Sequence, residues 1–245
     1  MFDILFARTF CIVGGMLLIT ALFAYLSKNS KGGNFSVMLI IIFVVLFMIM
    51  FFGNIFPLNL ILVGIFSALL GWVTGPAVKG AGDKYKIKLF LKERGIVLAK
   101  GETLNEQQIT DFIEYSKENG GESEWNRVLS MAFLSTAIAV FATALLVFTS
   151  SIDFSFMGMF LFIALTILVI MGLLNLFFFR SELISLIKAY FGVVIFTLYL
   201  VYDFNTLEKM AGDDSWGTAI DISVNLYLDI MNLFLDILQI LSDHT

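Results

Sequence analysis

Residues 32–78 contain no aspartate, glutamate, lysine or arginine. A helix needs about 20 apolar residues to cross the hydrocarbon core of a bilayer. This stretch is too long for one such helix and suits two, parted near Gly53-Asn54 and Pro57, where turn residues gather. A soluble domain of this length has no interior able to hide it. The remainder agrees: 59% of the residues are hydrophobic and 14% charged, where soluble domains carry roughly a quarter charged. Lipid is the solvent for most of this chain. A soluble enzyme, a nucleic-acid-binding module and a disordered chain are thereby excluded.

Five more runs predict spans: 9–27, 128–152, 154–179, about Glu182 to Thr206, and about Trp216 to Ile240. The expected fold is all-α, a polytopic membrane protein of seven transmembrane helices. Three fall in residues 1–78 and four in residues 128–245, forming one membrane domain. The first run is read as a span and not as a signal peptide, being long and lacking a convincing cleavage site. A single cysteine, Cys11, excludes an intramolecular disulfide, and a single histidine, His244, excludes a histidine cluster for metal.

Residues 79–127 differ. They hold nine of the 15 basic residues and nine of the 20 acidic ones. A small water-facing insert is expected between the third and fourth spans. Tyr85-Lys86-Ile87-Lys88-Leu89 alternates, turns at Lys92-Glu93-Arg94-Gly95 and continues as Ile96-Val97-Leu98, which reads as a hairpin. A helix follows from Thr103, with Leu104, Ile109, Phe112 and Ile113 on one face, capped by Asn105 or Thr103 and ended by Gly120-Gly121. With seven spans, the insert shares its side with Lys28, Lys31, Arg180 and Lys188, leaving Arg8 and Lys209 opposite. The positive-inside rule then places the insert and the C-terminus in the cytoplasm.

Carboxylates within spans are costly and mark function by default. In the sixth span Asp203 follows Tyr202. In the seventh, Asp221, Asn225, Asp229, Asn232 and Asp236 recur at spacings of 4, 4, 3 and 4. At about 100° per residue they fall within an arc of roughly 80°. Such a polar stripe must face the bundle interior or a water-filled path. The plainer alternative is that these side chains only hydrogen-bond helices together. Asp229 sits mid-span, whereas Asp221 and Asp236 lie near the ends. Lys188 has two courses, along its helix toward the same interior or, as is expected so close to the helix start, out to the interface. Ser67, Gly71 and Gly75 form a small-residue ridge suited to close helix packing.

Tyr202-Asp203-Phe204-Asn205, with Leu226-Tyr227-Leu228-Asp229-Ile230-Met231-Asn232-Leu233-Phe234, resembles the Bax inhibitor-1 family of membrane proteins. Leu70-Gly71-Trp72-Val73-Thr74-Gly75-Pro76, Asp153-Phe154-Ser155-Phe156-Met157-Gly158 and Asn175-Leu176-Phe177 are similar to other family stretches. The resemblance covers about 200 residues, everything except the insert. It implies seven helices with the last at the centre. It also implies a pH-sensitive calcium leak controlled by two aspartates, matching Asp203 and Asp229. Two close carboxylates in low dielectric repel, so the pair is expected to share a proton and titrate as a unit. The family is generally drawn with its N-terminus in the cytoplasm, which would place the insert outside, against the charge tally. The junction Met50 to Pro57 carries no basic residue, so any counter-charge to the aspartates must come from elsewhere.

The expected function is thus a calcium-permeable, pH-gated leak channel or transporter in a bacterial inner (plasma) membrane. The gate is Asp203 and Asp229; Asp221, Asn225, Asn232 and Asp236 line the polar path. No permanent metal or cofactor is expected, only transient calcium. The alternative is an interaction protein that regulates a membrane protease or survival factor, docking a membrane protein through residues 79–127. An intramembrane aspartyl protease fits poorly, because such enzymes place Gly-x-Gly-Asp around the second acid and here it lies in Leu226-Tyr227-Leu228-Asp229. No enzymatic activity and no nucleic-acid partner are expected.

Overall fold

A computed structural model of the chain describes residues 3–30, 35–96, 104–118 and 121–243. All regular structure among them is helical: α1 (Ile4–Ser27), α2 (Phe35–Phe52), α3 (Leu58–Glu93), α4 (Glu106–Lys117), α5 (Glu122–Thr149), α6 (Gly158–Leu174), α7 (Glu182–Lys209) and α8 (Trp216–Asp243). A short 3₁₀ turn, Phe154–Met157, leads into α6 and a π turn, Asn175–Phe179, leaves it. Six helices are long and apolar enough to cross a membrane: α1, α3, α5, α6 with its flanking turns, α7 and α8. The apolar stretch of α2, Val37–Phe52, is shorter. Large apolar side chains such as Leu18, Phe51, Phe141 and Phe178 stand exposed around the bundle. In water that much apolar surface would aggregate, whereas lipid covers it. The protein is an integral membrane protein.

The helix α8 lies in the middle. It packs against α1, α3, α5 and α7, while α2 leans on α3 and α6 on α7. Its Ile220, Tyr227 and Leu233 are fully buried. Tyr227 also carries a polar tie: its hydroxyl and that of Thr20 on α1 are 2.6 Å apart, and Thr20 donates to the Ser67 carbonyl of α3 at 3.1 Å.

The small-residue ridge packs as its spacing suggests. A Cβ at Gly71 would meet the Thr20 carbonyl at 2.4 Å, and one at Gly75 the Ala24 carbonyl at 2.2 Å. Backbone lies against backbone, which only glycine allows.

The expected hairpin is not formed. Tyr85 to Leu89 continue α3, whose 36 residues run to Glu93, and the turn Lys92-Glu93-Arg94-Gly95 is the helix end. Val97 and Leu98, the other arm, lie outside the described residues. The reason is cooperativity: a helix already nucleated in the membrane adds residues at little cost, whereas a new hairpin must close its own loop. Helical spacing also suits the neighbours. Gly82 leaves room for the Trp125 ring of α5, Tyr85 packs on that ring at 5.7 Å, and Phe90 meets Phe112 and Tyr115 of α4 at 5.6 and 5.4 Å. Lys86 pairs with Glu122 and Lys88 with Asp243.

Asn105 caps α4 as expected: its side chain accepts from the Gln108 N–H at 2.8 Å, and the Gln108 side chain accepts from the Asn105 N–H at 2.9 Å. Thr103 and Gly120, the other boundary candidates, lie outside the described residues. Ile109 and Ile113, neighbours of Phe112 on the helix, are exposed. Phe112 and Tyr115 make the inner contacts instead. Gly121, at φ 73°, takes the left-handed turn that starts α5.

Candidate functional site in the seam between the last two helices

α7 and α8 run antiparallel and share a polar seam. Ser181 starts α7 by accepting from the Ile184 N–H, and is itself bracketed by the Asn175 amide at 2.8 and 3.0 Å. At the other end, Asn205 and Lys209 grip the loop before α6. Asn205 accepts from the Phe154 N–H at 3.1 Å, while Lys209 donates to Asp153 at 2.6 Å and to the Ser155 hydroxyl at 2.8 Å. The hydrogen bond from Lys209, aided by those from Ser155, holds the exposed Asp153 carboxyl well below the usual carboxylate range. Both ends of α7 are thus pinned.

Between those ends the structure brings Asp203 and Asp229 together. They are 5% and 7% exposed, and their carboxyl groups lie within hydrogen-bond reach. Such a bond requires a proton on one of the two. The Oδ2 atoms of both residues lack any partner, and no basic side chain among the described residues pairs with either. Tyr199, one turn before Asp203, lies within electrostatic reach of both. Two unpartnered oxygens in a buried seam are a strongly anionic spot wherever both carboxyls are ionised. Among the described residues no three His, Cys, Asp or Glu side chains converge as a metal ligand set.

The rest of the stripe divides. Asp236 is buried and bonded to Lys188 at 3.1 Å. The expectation that Lys188 snorkels is therefore corrected: attraction to a buried carboxylate outweighs the pull of the interface. Asn232 donates to the Leu228 carbonyl of its own helix at 2.8 Å. Asp221 and Asn225 are exposed, so this end of the stripe opens outward and does not face the bundle interior. The turn between α2 and α3 flanks it: Asn54 rests over Gly217, and a Cβ at Gly53 would lie 3.8 Å from Asp221 Oδ1. What sequence reasoning missed is the matching face of α7. Ser185, Lys188, Gly192, Tyr199 and Asp203 recur at spacings of 3, 4, 7 and 4, a stripe as regular as that on α8.

The profile of the family described as inhibitor of apoptosis-promoting Bax1 matches residues 123–245, covering α5 to α8. A Golgi anti-apoptotic protein of Vaccinia virus (strain Lister) is 39% identical over 114 residues, 46% of this chain and 46% of that protein. Protein LIFEGUARD 1 of Arabidopsis thaliana is 38% identical over 120 residues, 48% and 50% of the two chains. An uncharacterised protein of Campylobacter jejuni is 33% identical over 114 residues, 46% and 47% of the two. The chain spans about half the length of the curated relatives it matches. Half of its own length lies within the matched stretch, which carries Asp203 and Asp229, and this chain belongs to the Bax inhibitor-1 family of membrane proteins.

Proposed function

We propose that the protein is a pH-sensitive, calcium-permeable leak channel or transporter of a bacterial inner membrane, gated by Asp203 and Asp229. The observation that supports it most is a buried carboxyl pair bridging α7 and α8 with no cationic partner among the described residues. Helix association alone would be served by hydroxyls or amides, as Thr20 and Tyr227 serve it elsewhere. A shared proton latches the two helices. Its loss leaves two charges that repel each other and attract a divalent cation. In this reading α2 is the seventh span, and the end of α3, α4 and the start of α5 form the water-facing insert. The exposed Asp221 and Asn225 are the mouth of the path, and the carboxyls gate it without catalysing a reaction.

Calcium flux into liposomes carrying the protein, followed against pH, tests the reading. The parent flux is expected to vary with pH, and that variation to vanish in Asp203→Asn and Asp229→Asn. Identical pH profiles in parent and variants would sink the proposed gate.

A second reading, a membrane protein that regulates a protease or survival factor by contact, draws on the exposed Ile109 and Ile113 of α4. Replacing both by glutamate should then abolish co-purification of a membrane partner while leaving calcium flux intact.

A further inference from the structure

The polar seam continues past the aspartate pair. Seven residues further along α8, about 10 Å at the helical rise, Asp236 is 3% exposed. Its Oδ1 accepts from Lys188 Nζ of α7 at 3.1 Å, and its Oδ2 has no partner. That free oxygen is pressed over the backbone of Gly192, where a Cβ would stand 1.9 Å away. The Lys188 stem passes Gly172 of α6, where a Cβ would lie 3.6 Å from its Cδ. One turn on, Gln239 donates to the Ser185 hydroxyl at 2.6 Å.

As a fastener this ion pair is a poor choice. Burying two charges offsets most of their attraction, and the neighbouring Ser185–Gln239 bond joins the same helices without charge. What the pair does accomplish is to hold a positive group against the last carboxylate of a stripe that also carries Asp229 and Asn232.

We propose that Lys188 is a tethered cation plugging this end of the stripe, and that Asp236 is a divalent-cation site which its ammonium occupies. A divalent ion leaving Asp203 and Asp229 along α8 replaces the ammonium at Asp236, and the free Oδ2 is the second oxygen offered to it. The traffic rests on the leak reading above; the site itself does not. Without the lysine charge, Asp236 is a buried anion lacking compensation; it must take up either a proton or a cation from solution, and calcium in excess competes for it.

The test compares the parent with Lys188→Gln, Lys188→Arg and the double form Lys188→Gln/Asp236→Asn. Each is purified in detergent and its melting midpoint titrated with calcium chloride. Each is then reconstituted for calcium flux beside Asp229→Asn. Lys188→Gln is expected to show a larger calcium-dependent rise in midpoint than any other form, and a several-fold higher flux that the double form reverses. Lys188→Ser gives the same readings should the glutamine form fail to fold. Equal calcium shifts in Lys188→Gln and the double form would overturn the site. A parent-like flux in Lys188→Gln, when Asp229→Asn differs from the parent, would overturn the plug and leave the leak standing. If no form carries calcium, the leak reading fails and the midpoint titration alone decides whether Asp236 binds a cation.

Discussion

Two helix seams in this protein meet the same demand by opposite means. Between α1 and α3 the backbones touch through Gly71 and Gly75, and the polar groups present are hydroxyls whose bonds are satisfied. Between α7 and α8 the contact is made by side chains, among them three buried carboxyls each with an unpartnered oxygen. The first seam is a close fit that any change loosens. The second keeps charge where lipid and protein both disfavour it, and stability alone would select against that. The contrast separates a seam fitted for close packing from one that, in the proposed function, switches.

The sharpest way to break the contrast is to disturb both seams equally. Gly75→Ala places a methyl against the Ala24 carbonyl and the Ser27 hydroxyl. It is expected to cost about 1–3 kcal/mol or more, read as a lowered thermal midpoint in detergent and a poorer membrane yield. Next in size, Asp229→Asn keeps a hydrogen-bonding group beside Asp203 and removes one charge. Its midpoint at alkaline pH should match or exceed the parent's, while the pH dependence of calcium flux disappears. If Asp229→Asn destabilises as Gly75→Ala does, the α7–α8 seam is a fastener after all.

Tyr227→Phe deletes one buried hydroxyl pair and leaves Thr20 its bond to Ser67. A loss of about 1 kcal/mol is expected, with flux and its pH profile unchanged. The smallest effect is assigned to Lys209→Met. Asp153 titrates below its ordinary range because of Lys209. Its contribution is therefore complete at neutral pH and fades as pH falls through that lowered range. The midpoints of parent and variant should differ slightly at pH 7 and converge on acidification.

Much of this was legible in the residues. The uncharged stretch 32–78 announced lipid, the ridge Ser67, Gly71 and Gly75 announced a close crossing, and the 4, 4, 3, 4 spacing put the α8 carboxyls on one face. The alternation around Lys86 and Lys88 misled, because five residues of mixed polarity satisfy a strand period and a helix period alike. Only the neighbours, Trp125 against Gly82 and Phe112 against Phe90, selected the helix. The fate of Lys188 was hidden for a similar reason. A long stem near a helix end can turn either way, and its direction depends on a carboxylate 48 positions later in the chain.

The sequence by itself determined the solvent, most of the spans and the polar face of α8, since these follow from local periodicity and the cost of charge in hydrocarbon. Only the tertiary structure decided which carboxyls meet, which are paired and which end of the stripe is open. Asp203 and Asp229 sit on separate helices, and their approach is set by how α7 crosses α8, which no spacing within either helix encodes. Partner choice inside the bundle is a property of packing, and that is where the proposed gate and its plug reside.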